Sequence, residues 1–210
     1  MRTALIVITG TVIALTSCSS TPPPVPRADS TAPVIAPGRP GEEAKTLSPG
    51  EAVTAVPSAT ANAADITYVQ DMIIHHRQAL DMAILAPNRA ESTKLKGLAS
   101  RIKDAQGPEI QYMTTWLQEL GQKVPDHHAG HDGMPGMATP EQMEALKAAQ
   151  GKAFDALFLQ LMITHHEGAI TMSEKVLTNG SHIRIEELAN DVNVTQTAEI
   201  RRMREMQAAA

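Results

Sequence analysis

From Asp65 onward, apolar residues recur at intervals of three and four, the signature of amphipathic helices at about 3.6 residues per turn. The same pattern then returns at a fixed offset of ninety positions. Asp65, Tyr68, Met72, His75, His76 and Met82 align with Asp155, Phe158, Met162, His165, His166 and Met172. Leu98, Ala99, Gln106, Glu109, Ile110 and Met113 align with Leu188, Ala189, Gln196, Glu199, Ile200 and Met203 in the same register. Each repeat (65–121 and 155–207) therefore predicts two helices and a turn, Ala86-Pro-Asn-Arg in the first and Thr178-Asn-Gly-Ser in the second. Ser92 and Ser181 are the candidate caps of the helices that follow. Between the repeats, Thr139-Pro-Glu-Gln142 reads as a capping box with proline in the first turn, and Gly151 predicts an interruption before the helix carrying His165. Pro108 predicts a kink, because the apolar period resumes in phase beyond it. Two such hairpins bury their stripes against each other, which predicts an all-α four-helix bundle over 63–210.

The polar residues on the buried faces change the picture. At about 100° per residue, His75 and His76 straddle Met72 within roughly 60°, and Met82 shares their arc. On the second helix Gln106 and Glu109 fall on the same face as Leu98, Ile102, Met113 and Trp116, and Gln196 and Glu199 repeat that phase. A glutamate inside an apolar stripe is costly unless paired, and the inward histidines are its obvious partners. Four imidazoles, two carboxylates, two amides and six thioethers are expected to meet inside one bundle.

Residues 1–62 read differently. Arg2 and a short apolar run, Ala4 to Leu15, form a signal-peptide core too brief to span a bilayer. Leu15-Thr-Ser-Cys18 resembles the lipobox of bacterial lipoproteins, which implies removal of residues 1–17, lipidation of Cys18 and membrane attachment outside the cytoplasm. Residues 18–62 carry nine of the 14 prolines and read as a disordered tether. Cys18 is the only cysteine, which excludes an internal disulfide and any cysteine-based zinc site. A net charge of −5 gives no basic surplus for nucleic acid, and an aromatic content of 2% leaves a core of Leu, Ile, Val, Ala and Met, a diet that suits helices.

A methionine at helical spacing is ordinarily core filler, and one inward histidine is ordinarily a hydrogen-bonded core residue. A buried polar network that fixes helix pairing explains Glu109 and Glu199. It does not call for four histidines or for methionines beside them. The doubled Met…His-His…Met pattern points to copper or silver: thioether sulfur favours Cu(I), imidazole accepts either copper oxidation state, and methionine is a poor zinc ligand. The candidate ligands are Met72, His75, His76, Met82, Met113, Met162, His165, His166, Met172 and Met203. Gln106, Glu109, Gln196 and Glu199 are candidates to orient the imidazoles from behind. A Gly/Pro-rich loop, 126–137, adds His127, His128, His131, Met134 and Met137, with no core role to explain them and the composition of a metal collector.

The motifs Met72-Ile-Ile-His-His with Met82, Gln106…Glu109-Ile…Met113…Trp116, Phe154-Asp…Met172 and Gln196…Glu199-Ile…Met203 closely resemble the family catalogued as domain of unknown function 305. The resemblance implies a ferritin-like bundle, secreted or membrane-tethered, and copper handling through the inward His and Met. It leads to a non-enzymatic extracytoplasmic binder of copper that sequesters the metal, confers resistance or passes it to a transfer partner. The alternatives are a ferritin-like di-metal oxidase using Glu109, Glu199 and the four histidines, a b-type haem protein, and a structural module. The oxidase lacks the Glu-x-x-His pairs of di-iron bundles.

Overall fold

The computed structural model describes residues 33–36, 44–48, 60–126 and 133–209. The chain divides into two compact units, 1–56 and 57–210. Cys18 and the signal-peptide region lie outside the described residues. Within the stretch read as a tether, β1 (Val34–Ala36) pairs antiparallel with β2 (Lys45–Leu47), Ile35 opposite Thr46. The β-branched residues Val34, Ile35 and Thr46 suit extended backbone, a local signal that the proline count masks.

In the second unit, α1 (Ala63–Ala83) begins in a capping box: Asn62 accepts from the amides of Ala64 and Asp65, and the Asp65 carboxylate accepts from the Asn62 amide. The turn expected at Ala86 is a short helix, α2 (Ala86–Arg89), with Pro87 in its first turn, where no amide hydrogen is needed. Ser92 caps α3 (Thr93–Glu119) through the Leu95 amide. That helix is continuous through Pro108, which lies on its exposed side. The Thr139–Gln142 capping box opens α4 (Pro140–Ala148), and Gly151, at φ +58°, starts α5 (Gly151–Asn179) in a conformation that favours glycine. The last helix is α6 (Ile183–Ala208). Ser181 does not cap it as expected; His182 occupies that position without a side-chain bond.

Helix α1 packs on α3 and α5 packs on α6, and the two hairpins join where α1 meets α5. Repeat-related aspartates stitch them together. Asp65 in α1 is buried and accepts from the Ser181 amide and hydroxyl ahead of α6, and Asp155 in α5 accepts from the Glu91 and Ser92 amides ahead of α3. Each repeat thus holds the start of the other's second helix.

The apolar core forms two clusters. One gathers Tyr68, Val69, Met72 and Ile73 from the first half of α1 with Met113, Trp116, Met172 and Val176. The other gathers Ala79 and Met82 from the second half with Phe154, Phe158, Met162 and Met203. Because the first half of α1 meets the second half of α5, the two helices run in opposite directions. The histidines fall between the clusters. At about 1.5–3 kcal/mol for each fully buried large apolar side chain, these clusters supply the main driving force for the bundle.

Candidate metal centre

His75, His76, His165 and His166 are all fully buried where α1 crosses α5. The rings of His75 and His165 stack with centroids 3.8 Å apart and planes inclined by 39°. Each imidazole is tied down through Nε2. His76 reaches Glu109 at 2.7 Å and its mate His166 reaches Glu199 at 2.8 Å. His75 and His165 do not meet carboxylates as the sequence suggests. They bond main-chain carbonyls, His75 that of Pro135 at 3.0 Å and His165 that of His75 at 2.9 Å.

Those acceptors decide the tautomers. A carbonyl oxygen can only accept, and so can an ionised carboxylate, so in each ring Nε2 carries the proton. In the neutral imidazole the lone pair then sits on Nδ1, four times over. The Nδ1 atoms of His76, His165 and His166 find no hydrogen-bond partner among the described residues. Burial, followed by the nearby His75, His166 and His76, holds His165 well below the ordinary histidine range, so it is neutral at physiological pH.

The amides behave similarly. Gln106 and Gln196 are buried, and among the described residues both polar atoms of the Gln106 amide lack a partner, as does the Gln196 amide oxygen. Each such buried group ordinarily costs about 1–3 kcal/mol. Unsatisfied nitrogen lone pairs and amide groups around one seam are a donor set that a cation with nitrogen preference would satisfy. Among the described residues, no group of three or more His, Cys, Asp or Glu side chains is arranged to enclose a metal ion, the four seam histidines included.

The six helical methionines of the two repeats proposed as ligands are all buried, but they do not converge on one centre. They divide into two repeat-related trios, Met72, Met113 and Met172 in one cluster and Met82, Met162 and Met203 in the other. Antiparallel packing of a duplicated helix forces this, since it sets the early methionine of one copy beside the late methionine of the other.

The inter-repeat loop also departs from expectation. His127, His128 and His131 lie outside the described residues; Met134 and Met137 are half-buried. Far from lacking a core role, the loop's end is built in. Gln78 exchanges two hydrogen bonds with the main chain of Ala138, at 2.9 and 2.7 Å, and Ala138 is itself buried. Arg77 donates to the carbonyls of Pro125 and Asp126. A Cβ on Gly168 would lie 2.1 Å from the Pro135 oxygen, so only glycine admits the loop there. Gln78 and Gly168 occupy matching positions of the two repeats, and their mismatch was the one sequence signal that something crosses the seam between them.

A duplicated helical hairpin closed into a four-helix bundle, with paired buried histidines at the seam, defines the class. The chain belongs to the DUF305 family, a domain of unknown function whose profile matches residues 65–207. It is similar to a DUF305 fragment from Deinococcus radiodurans, at 31% identity and a TM-score of 0.66 over 71% of this chain and 99% of that one. A DUF305 protein from Streptomyces coelicolor described as secreted is 29% identical, with a TM-score of 0.65 over 70% and 93% of the two chains. CopM in its Cu(I)-bound form is 33% identical, with a TM-score of 0.59 over 69% of this chain and 96% of that one. CopM has also been solved with Cu(II) and with silver. No curated protein matches the chain by sequence.

Proposed function

We propose that this protein binds copper or silver outside the cytoplasm and sequesters or passes on the metal without catalysing a reaction. The observation that carries the reading is the anchoring of His75, His76, His165 and His166 through Nε2 in a buried seam, with the Nδ1 atoms of His76, His165 and His166 unpartnered among the described residues. The likeness to CopM, solved with Cu(I), Cu(II) and silver, supports the choice of metal.

In this reading the Nδ1 atoms take the ion first, and Met72, Met113 and Met172 on one side and Met82, Met162 and Met203 on the other supply thioethers. Neutral imidazoles and thioethers need lose no proton to bind. Glu109 and Glu199, across the rings of His76 and His166, offset the charge that enters, and Gln106 and Gln196 offer amide dipoles beside them. His127, His128, His131, Met134 and Met137 collect metal at the surface. The lipobox-like Cys18 supports a membrane anchor and the relative described as secreted supports a site of action outside the cytoplasm, from which the metal passes to a transfer partner.

Isothermal titration with Cu(I) tests the reading. The wild-type chain is expected to bind at least 100-fold more tightly than a variant with His75, His76, His165 and His166 replaced by alanine, folding being checked by circular dichroism. Equal binding by a folded variant would exclude it.

A further inference from the structure

The two methionine trios differ in one respect that their repeat symmetry does not explain. Met72, Met82, Met113, Met162 and Met203 are completely shielded, whereas Met172 keeps 9% of its surface exposed. Its repeat mate Met82 is sealed in a cluster that includes Ala86, Ala138 and Leu146. On the Met172 side the covering is incomplete. A groove of about 650 Å³ opens between α1 and α5, with Tyr68, Asp71, Met172 and Lys175 along it and the loop residues Met134 and Pro135 over it.

This groove is tied to His75 through the main chain of the loop that lines it. Pro135, which follows Met134, gives its carbonyl to His75 Nε2 at 3.0 Å. A ligand drawing Met134 inward therefore acts on the main chain that orients His75. Two thioethers from different elements border one solvent-accessible space, a donor pair that is soft, uncharged and quick to exchange, which suits a monovalent soft ion. The groove is also roomy enough for the ion together with a small carrier ligand, as stepwise ligand exchange requires. Asp71 on the rim attracts a cation and Lys175 opposes it, so charge contributes little and the sulfur atoms provide the selectivity.

Building on the metal-binding reading above, we propose that this groove is the portal by which Cu(I) or Ag(I) reaches the histidine seam, taken first by the thioethers of Met134 and Met172. The loop then serves as more than a collector: its described end is the outer half of the first binding step.

Anaerobic stopped-flow transfer of Cu(I) from its bicinchoninate complex to the full chain tests the portal, read as loss of the chelate colour. Met134→Leu and Met172→Leu, which keep volume and remove sulfur, are expected to slow loading tenfold or more, with rate falling further than equilibrium affinity. Met143→Leu, packed on the sealed side, is expected to load at the wild-type rate. Wild-type loading rates in both Met134→Leu and Met172→Leu, with binding intact, would overturn the portal alone. If the wild-type chain accepts no Cu(I), the metal-binding reading falls and takes the portal with it.

Discussion

His165 donates its Nε2 proton to the main-chain carbonyl of His75, 2.9 Å away and its own counterpart in the earlier repeat. Perfect symmetry would have His75 return the bond to the carbonyl of His165. Instead His75 turns to Pro135 of the inter-repeat loop. A duplicated hairpin is thus made asymmetric at its centre, with one imidazole locked to the seam and the other to a loop that ends at the surface groove.

The two His–Glu pairs differ in exposure, and stability should report it. The Glu199 side chain is 7% exposed and that of Glu109 is 23%. Removing either leaves a buried imidazole N–H without its acceptor, but water can reach the Glu109 position more readily. Glu199→Ala is expected to lower the stability of the metal-free protein by about 2–3 kcal/mol and Glu109→Ala by about 1 kcal/mol. Urea unfolding of both variants checks the order.

Acid should weaken the metal-free fold. Burial and the neighbouring imidazoles keep His165 neutral in the native state well below the ordinary histidine pKa, whereas the unfolded chain protonates near about 6.5. Below that value the unfolded state binds the extra proton, so stability rises with pH through this window and falls on acidification. Urea midpoints measured at several values from neutrality to mild acid are expected to fall steadily. A flat profile would show that His165 is not held neutral.

Glycines separate loop packing from helix propensity. Gly168→Ala would drive a Cβ into the Pro135 carbonyl and lift the loop from α5. A loss of about 1–3 kcal/mol is expected, with disruption of the His75–Pro135 bond. Gly97 in α3 meets only the tip of Arg101, at 3.7 Å, so Gly97→Ala should instead stabilise by about 0.5–1 kcal/mol. Thermal unfolding distinguishes the two signs.

The aspartate stitches make a further contrast. Asp65 is almost completely buried and serves both its own capping box and Ser181; Asp155 is half-buried and holds only Glu91 and Ser92. Asp65→Ala is expected to destabilise by about 2–4 kcal/mol and Asp155→Ala by about half as much, measured by chemical denaturation.

The repeat offset was enough to read the bundle, its hairpins and the burial of all four histidines, because period and phase are properties of sequence alone. That Glu109 and Glu199 pair with inward histidines was legible for the same reason, since a carboxylate on an apolar face must find a partner; that the partners are His76 and His166 was not. The relative direction of α1 and α5 was not legible. The methionines were therefore expected to converge, whereas antiparallel packing sorts them into two trios. The acceptors of His75 and His165 are main-chain carbonyls, one of them in a loop whose path no periodicity encodes, so side-chain patterns carry no signal of them. Ser181 does not cap α6, because its hydroxyl is turned to the Thr60 carbonyl and the Asp65 carboxylate, both distant in sequence. The paired residues Val34–Ala36 and Lys45–Leu47 were hidden by the proline-rich composition around them.

Imidazole nitrogen NMR with ¹⁵N-labelled histidine during an Ag(I) titration addresses the central claim most directly. The expected result is a large shift of the Nδ1 signals of His75, His76, His165 and His166, with Nε2 keeping its proton in each ring. Shifts at Nε2, or shifts confined to His127, His128, His131 and His182, would contradict it.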